Sequence, residues 1–382
     1  MINYNLIYNS WGKEEISAIQ NVIKSGQFTY KNKVKEFEKK YSKYFNMKYS
    51  VMTNSGSSAN LLSIASLFYK KKNPLKRGDE VIVPSIAWST TYAPLQQFGL
   101  KLKILDVDFD TLNVSPETLI KAISNKTKLV VAVSILGNPC KLHEYKKICK
   151  KNNIILMEDN CESLGSKIQN KYTGTFGLVN TMSFFFSHHI STIEGGMVST
   201  NDKEIYNILL SLRAHGWTRD QVNFDNKKYE KYEFVYPGYN VRPTEINAAT
   251  GITQLNKLDR FIGIRRKNFN LYQKIFSNNK IFYIQKETGF NSSFSFTFVF
   301  KKKYLNLKKR IYEDLKKENI QFRLITGGCF TRHSVKKYFD YKIFKNLKNA
   351  NYIHENGFFL GNAPIDLSEQ LIKFNKLIIK YY

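Results

Sequence analysis

The sequence predicts an α/β protein, one sheet covered by helices on both faces, with a smaller α+β unit after it. Three observations carry this. Short runs rich in Val, Ile and Leu alternate with helical patterns over the first 240 or so residues, as expected of strands layered against helices. From Pro243 to about Ile275 the pattern is helical, with few breakers beyond Gly251 and Gly263, and such a segment can bridge two units. A strand, a helix and a further strand then follow in short order. We expect a large domain over residues 1–250 and, over 251–382, a long linking helix with a small C-terminal domain.

Taken in order, helices are expected at about residues 14–24, 35–45, 59–70, 116–123 and 142–151, and strands at 49–53, 80–84, 102–107, 129–135, 154–158 and 181–186. In the last part 294–300 reads as a strand, 307–317 as a helix and 320–325 as a strand. No internal repeat or low-complexity linker interrupts the chain, so the two units are expected to pack tightly.

Composition bounds the function. A chain of 382 residues, 42% hydrophobic and 24% charged, can bury a large core. Its apolar runs are too short to span a bilayer, and its first residues lack a basic stretch followed by an apolar one. The expected location is the cytoplasm, with no membrane partner. Cys140, Cys149, Cys161 and Cys329 show neither C-x-x-C pairing nor zinc-like spacing, so no disulfide framework and no metal site are expected. The 59 Lys and Arg against 31 Asp and Glu give a formal charge of +28, which raises nucleic-acid binding as a possibility. The lysines are scattered, as at 70–72, 301–303 and 336–337, and a solvated surface accounts for them. No nucleic-acid partner is expected, although a positive field attracts a nucleotide-diphosphate.

Several segments carry chemistry. Thr53-Asn54-Ser55-Gly56-Ser57-Ser58 follows a strand and opens a helix. Such a turn offers backbone N–H groups and a helix dipole to an anion, although a serine-rich cap explains it equally well. The run 154–159 is an apolar strand ending in Glu158 and Asp159, with Glu162 just beyond. Carboxylates there lie where α/β proteins usually place ligands. Trp88 stands beyond another strand and by itself reads as a buried core residue. In Ser183-Phe184-Phe185-Phe186-Ser187-His188-His189 the pair of histidines follows an apolar run, and no Lys or Arg occurs between Lys171 and Lys203. The segment Gly238-Tyr239-Asn240-Val241-Arg242-Pro243-Thr244 precedes the long helical stretch.

In order and spacing these segments resemble the DegT/DnrJ/EryC1/StrS family of pyridoxal-phosphate-dependent sugar aminotransferases, from Trp11-Gly12 through Asn362-Ala363-Pro364. The resemblance implies the aspartate aminotransferase-like fold (fold type I), with a mixed, mostly parallel sheet. It implies that Gly56 and Ser57 grip the cofactor phosphate, that Trp88 stacks on the ring, and that Asp159 faces the pyridine nitrogen with Glu162 along the same wall. Ser183 opens the segment S-F-x-x-x-K, and Asn240 belongs to a segment that reaches the neighbouring subunit's phosphate, so a homodimer with shared sites is implied. His188 takes the place of the family's cofactor-binding lysine. An imidazole forms no Schiff base but moves protons near neutral pH.

The stretches 136–140, 187–196 and 213–220 are similar to the sugar 3-dehydratase branch of the family. That likeness implies noncovalent pyridoxal phosphate, its conversion to pyridoxamine phosphate by L-glutamate, and loss of the C3 hydroxyl from a nucleotide-linked 4-keto-6-deoxy sugar. GDP-4-keto-6-deoxy-mannose or the corresponding heptose is the expected substrate, and His188 the acid/base. His188 is preferred to His189 because it is the fifth residue after Ser183 and neighbours in extended chain point to opposite sides. His215, Arg219 and Arg323 are candidate substrate contacts. A sister branch carries an iron–sulfur cluster on four cysteines, three of them close together. Here no cysteine lies between Cys161 and Cys329, so no cluster is expected. The alternatives are a nucleotide-sugar aminotransferase and a non-catalytic cofactor- or sugar-binding relative.

Overall fold

The structure, a computed structural model, describes residues 1–219, 221 and 232–382. Asp220, the last residue of the 213–220 stretch, lies outside the described residues. The main sheet has eight strands. Five of them are β1 (Tyr49–Thr53), β2 (Glu80–Pro84), β3 (Lys101–Leu105), β4 (Thr127–Val133) and β5 (Ile155–Asp159). The spatial order is β1, Gly196–Thr200, Val179–Ser183, β5, β4, β2, β3, Tyr341–Ile343. All pairs are parallel except those of Gly196–Thr200, which runs antiparallel to both neighbours. The chain passes from β3 to β4 across β2, and a crossing of this kind opens a crevice at the carboxyl ends of the strands. Asp159, Trp88 and the turn after β1 all follow such carboxyl ends.

The strands form where the sequence is continuously apolar, because both faces are covered: every residue of β2 is buried, as are the last four of β3. Helix starts follow capping chemistry. Ser55 caps Gly56–Tyr69, Asp202 caps Lys203–Arg213 and Thr244 caps Glu245–Asn256, each accepting a backbone N–H from three residues on. A second core fills the C-terminal unit, where Tyr272, Phe276, Phe282, Phe296, Phe298, Phe358 and Phe374 pack around a three-stranded antiparallel sheet. Phe298 alone meets five of these rings. No helix among the described residues is long and apolar enough to cross a membrane.

Several expectations need correction. The long helical stretch is two helices, Glu245–Asn256 and Leu258–Phe276. Lys257 stands at the break, its Nζ 3.1 Å from Glu14 and 2.8 Å from Glu15. The strand expected at 320–325 does not form; isolated bridges join Ile320 to Tyr4 and Arg323 to Phe359. Thr326, Gly327 and Gly328 then turn with φ of 43°, 74° and 80°, which ends extended chain. The strand expected at 181–186 stops at Ser183. His188 and His189 therefore lie in a bend, and the argument from alternating directions does not apply to them. The boundary at residue 250 is also crossed twice: Tyr341–Ile343 joins the main sheet beside β3, and Tyr4 is buried in the C-terminal core, its hydroxyl donating to Gly361 O at 2.8 Å.

Candidate functional site

The turn after β1 is built around one close approach. A Cβ added to Gly56 would lie 2.5 Å from the Cβ of Ser183, so only glycine lets the helix start abut the end of that strand. Ser55 Oγ accepts from Ser58 N at 3.0 Å, and the first N–H groups of the helix, those of Gly56 and Ser57, have no helical acceptor. Ser57 Oγ donates to Thr90 Oγ1 at 3.1 Å, which ties the turn to the helix that Trp88 opens.

Asp159 and Glu158 end β5 with opposite duties. Glu158 is buried and accepts from the backbone N–H groups of Gly174, Phe176 and Gly177 at 2.6–2.7 Å, so it fixes a loop. Asp159 Oδ2 accepts from Asn60 Nδ2 at 2.9 Å and Thr91 Oγ1 at 2.7 Å, and its Oδ1 accepts from Cys161 N at 3.3 Å. Asn60 is itself oriented by Thr181, whose hydroxyl donates to Asn60 Oδ1 at 2.7 Å. Bonds to a charged acceptor contribute about 1.5–3 kcal/mol each, so the carboxylate is pinned. Sequence reasoning missed Asn60, Thr91 and Thr181. Asn60 lies one helical turn beyond Gly56, a spacing that places it on the same face.

Trp88 is 57% exposed, which excludes its reading as a core residue. It lies against Gly327, where an added Cβ would sit 3.7 Å from its ring. Glu162 is close by. Its Oε2 accepts from Leu136 N at 2.8 Å and from Thr326 Oγ1 at 3.3 Å. Burial, with some help from the Asp159 charge, pushes its carboxyl up to about 7.

His188 keeps part of its surface accessible while its Nδ1 is buried with no hydrogen-bond partner. Its ring packs 5.1 Å from that of Phe294, whose N–H donates to Leu136 O at 3.0 Å, so His188 and Glu162 belong to one wall. Burial, assisted by the nearby Arg265 guanidinium, pushes the imidazole down to about 4. His189 is fully buried and its Nε2 is 2.7 Å from Ser292 O, a bond in which that nitrogen carries the hydrogen. Its role is thereby structural. Arg265, which sequence reasoning also missed, is buried behind both histidines; it donates to the carbonyl of Asn362 and, at 3.4 Å, to that of His188. Burial lowers it to about 9.

The remaining candidates lie on three other segments of the chain. Asn240 is exposed, bridged to Ala214, and accepts from Arg242 Nε at 3.1 Å. Its neighbour Val241 accepts from Asn54 N at 3.0 Å, which joins the segment to the turn after β1. His215 is exposed, with φ of 66°, and its N–H donates to Tyr239 O. Arg219 lies over the Trp217 ring at 4.2 Å and lines a groove of about 700 Å³ with Tyr30, Lys35, Lys39 and Tyr49. That groove is at the start of β1, the end opposite the phosphate turn. Arg323 is exposed, and its backbone pairs with Phe359.

The profile of the DegT/DnrJ/EryC1/StrS aminotransferase family matches residues 9–371. The chain belongs to that family. Within the DegT/DnrJ/EryC1/StrS family it is 47% identical over 380 residues to GDP-4-keto-6-deoxy-D-mannose 3-dehydratase of Escherichia coli O55:H7, covering 97% of this chain and 98% of that one. An E. coli structure of GDP-4-keto-6-deoxy-D-mannose-3-dehydratase with bound hydrated PLP superposes with a TM-score of 0.96 at 46% identity, covering 99% of this chain and 100% of that one. A structure of the GDP-4-keto-6-deoxymannose-3-dehydratase with a trapped PLP-glutamate geminal diamine gives 0.95 at 46%, over 98% and 100%. The fold is the aspartate aminotransferase-like one expected.

The residues fit pyridoxal phosphate as a noncovalent group. A helix start that glycine keeps open would suit its phosphate, a pinned carboxylate its ring nitrogen, and an exposed tryptophan its ring face. His188, with its buried and unpartnered Nδ1, offers this group no amine for a covalent link.

Proposed function

We propose that this chain is a pyridoxal/pyridoxamine-phosphate-dependent 3-dehydratase of a nucleotide-linked 4-keto-6-deoxy sugar. The substrate is GDP-4-keto-6-deoxy-mannose or the corresponding heptose, L-glutamate is the amino donor, and the enzyme works as a cytoplasmic homodimer with shared sites. The observation that carries the reading is His188 in the place of the lysine, with a buried, unpartnered Nδ1 and no lysine between Lys171 and Lys203. The names of the similar enzymes support the same reaction.

When bound, the cofactor supplies an amine for the sugar's C4 ketone and an electron sink that lets the C3 hydroxyl depart. Gly56 and Ser57 would hold the phosphate through backbone N–H groups, with Ser183 beside them, and Asn240 would reach it from the partner subunit. Asp159 would keep a proton on the ring nitrogen. Trp88 would cover a ring face and exclude water. His188, held neutral at physiological pH by burial and Arg265, starts as a base. Once protonated it is acidic for the same reasons, and so gives its proton readily to the departing hydroxyl. His215, Arg219 and Arg323 complete the proposed substrate contacts; His215 is tied by its N–H to Tyr239, the neighbour of Asn240.

The test is mass spectrometry of the products formed from GDP- and CDP-4-keto-6-deoxy sugars with glutamate. We expect a 4-keto-3,6-dideoxy product from the GDP sugar. A 4-amino sugar that retains its C3 hydroxyl would make the protein an aminotransferase, and no turnover of any sugar in the panel would make it a binding protein.

A further inference from the structure

Two residues that touch Glu162 are held in a conformation their side chains disfavour. Leu136, which gives its N–H to Glu162 Oε2, has φ of 54°, and Thr326, which gives its hydroxyl to the same oxygen, has φ of 43°. Both are buried and neither is glycine. A left-handed backbone is a genuine outlier for a β-branched residue, and it persists only where the surroundings impose it. The turns that carry them come from opposite parts of the chain, 135–137 after β4 and 325–327 in the C-terminal unit. They converge on one carboxylate oxygen. The other oxygen, Oε1, takes no hydrogen bond among the described residues.

We propose that Thr326 is a positioning residue, which with the Leu136 N–H occupies Oε2 of Glu162 and so leaves Oε1 as the oxygen that holds and releases a proton at the cofactor site. The role rests on the dehydratase reading, because that reading puts a cofactor and a departing hydroxyl at this wall. The same turn braces Trp88 through Gly327, so a single segment of the C-terminal unit sets both the ring platform and the carboxyl. The protonation balance suits a group that exchanges a proton near neutral pH. Burial raises Glu162 to about 7, and the hydroxyl of Thr326 and the Leu136 N–H draw it back down. The titratable groups that face it are Asp159, whose charge opposes ionisation, and the Cys161 thiol, kept neutral by burial. From the two turns it meets only the N–H and the hydroxyl.

The experiment is a pH titration of the carboxyl stretch in cofactor-free protein by infrared difference spectroscopy, with Glu162→Gln identifying the band. Thr326→Val keeps the shape and removes the donor, so the midpoint rises from about 7 by roughly half to one pH unit. Thr326→Ser keeps the donor and titrates like the wild type. Thr326→Ala, which lacks both hydroxyl and β-branching, shifts as Thr326→Val does and serves if the valine variant does not fold. An unchanged midpoint in the variants without a hydroxyl, or an equal shift in Thr326→Ser, overturns the proposal. Failure of wild-type enzyme to dehydrate any sugar while Glu162 titrates as described overturns the dehydratase reading alone.

Discussion

At the carboxyl end of β5 the polar side chains are satisfied, whereas around His188 several are not. Asp159, Asn60, Thr91 and Thr181 form a closed set of hydrogen bonds. On the other wall, His188 Nδ1, His189 Nδ1, Arg265 Nε, Asn291 Oδ1 and Ser292 Oγ are buried without partners. A buried polar atom left unmade costs about 1–3 kcal/mol, and native proteins keep few of them. The difference separates a wall whose polar groups hold one another from one in which His188 keeps a ring nitrogen unpaired. In the proposed reaction the first would fix where the cofactor's charges go, and the second would hold the group that changes its proton.

The sharpest way to break this contrast is at His188. His188→Asn should lower dehydration by about 10²–10⁴-fold, the usual contribution of a positioned acid/base, while cofactor still binds. Borohydride should leave no cofactor–lysine adduct in the wild type, and His188→Lys should create one. Product mass and peptide mapping read both effects. Elimination by His188→Asn at the wild-type rate would take the acid/base role away from His188 and make His215 the next histidine to test.

A second effect concerns stability without cofactor. The folded His188 is pushed from 6.5 to about 4, so between those values the unfolded chain binds the extra proton. The His188 contribution should be constant above pH 6.5 and fall as pH drops toward 4, by at most roughly 3 kcal/mol. Glu162, raised from 4.5 to about 7, acts with the opposite sign across 4.5–7. The quantity to read is therefore the difference between wild type and His188→Asn in denaturant melts at several pH values. Equal pH dependence in the two would mean that His188 is not held neutral by its surroundings.

The smallest effect should come from the exposed Asn240. Asn240→Ala should weaken cofactor retention by about tenfold, one hydrogen bond to a charged group, with melting and dimerisation unchanged. Equilibrium dialysis and size exclusion measure it. A stable monomer with full activity would end the shared-site reading.

The parts of this contrast that were readable in the sequence are those written in short local patterns. β1 and β2 fall within the expected runs to the residue, and β5 within one, because apolar stretches bounded by turns have little choice of conformation. Asp159 was legible because a charge ending such a run must lie at the sheet's edge. The second wall was not legible in this way. Arg265 sits beside Arg266 in an ordinary amphipathic pattern, yet one is buried against carbonyls and the other pairs with Glu287 at the surface. Nothing local distinguishes them. Likewise 320–325 has the composition of a strand, but its neighbours in space are single residues of distant segments, and pairing rather than propensity decides. Thr326 gives no sign in sequence of its left-handed backbone, although the two glycines after it mark a turn.

Tyr341–Ile343 covers the outer side of β3, and Tyr4 is anchored on Gly361, 357 positions along the chain. During synthesis, then, the ribosome has released β3 long before the strand that shields it exists, and Tyr4 waits until Gly361 has been made. The open rim of a nearly complete parallel sheet is a template for foreign strands, and closing such distant contacts is slow. Until Tyr341–Ile343 has emerged and paired with β3, that rim is open to strands of other chains, and its pairing is what closes it.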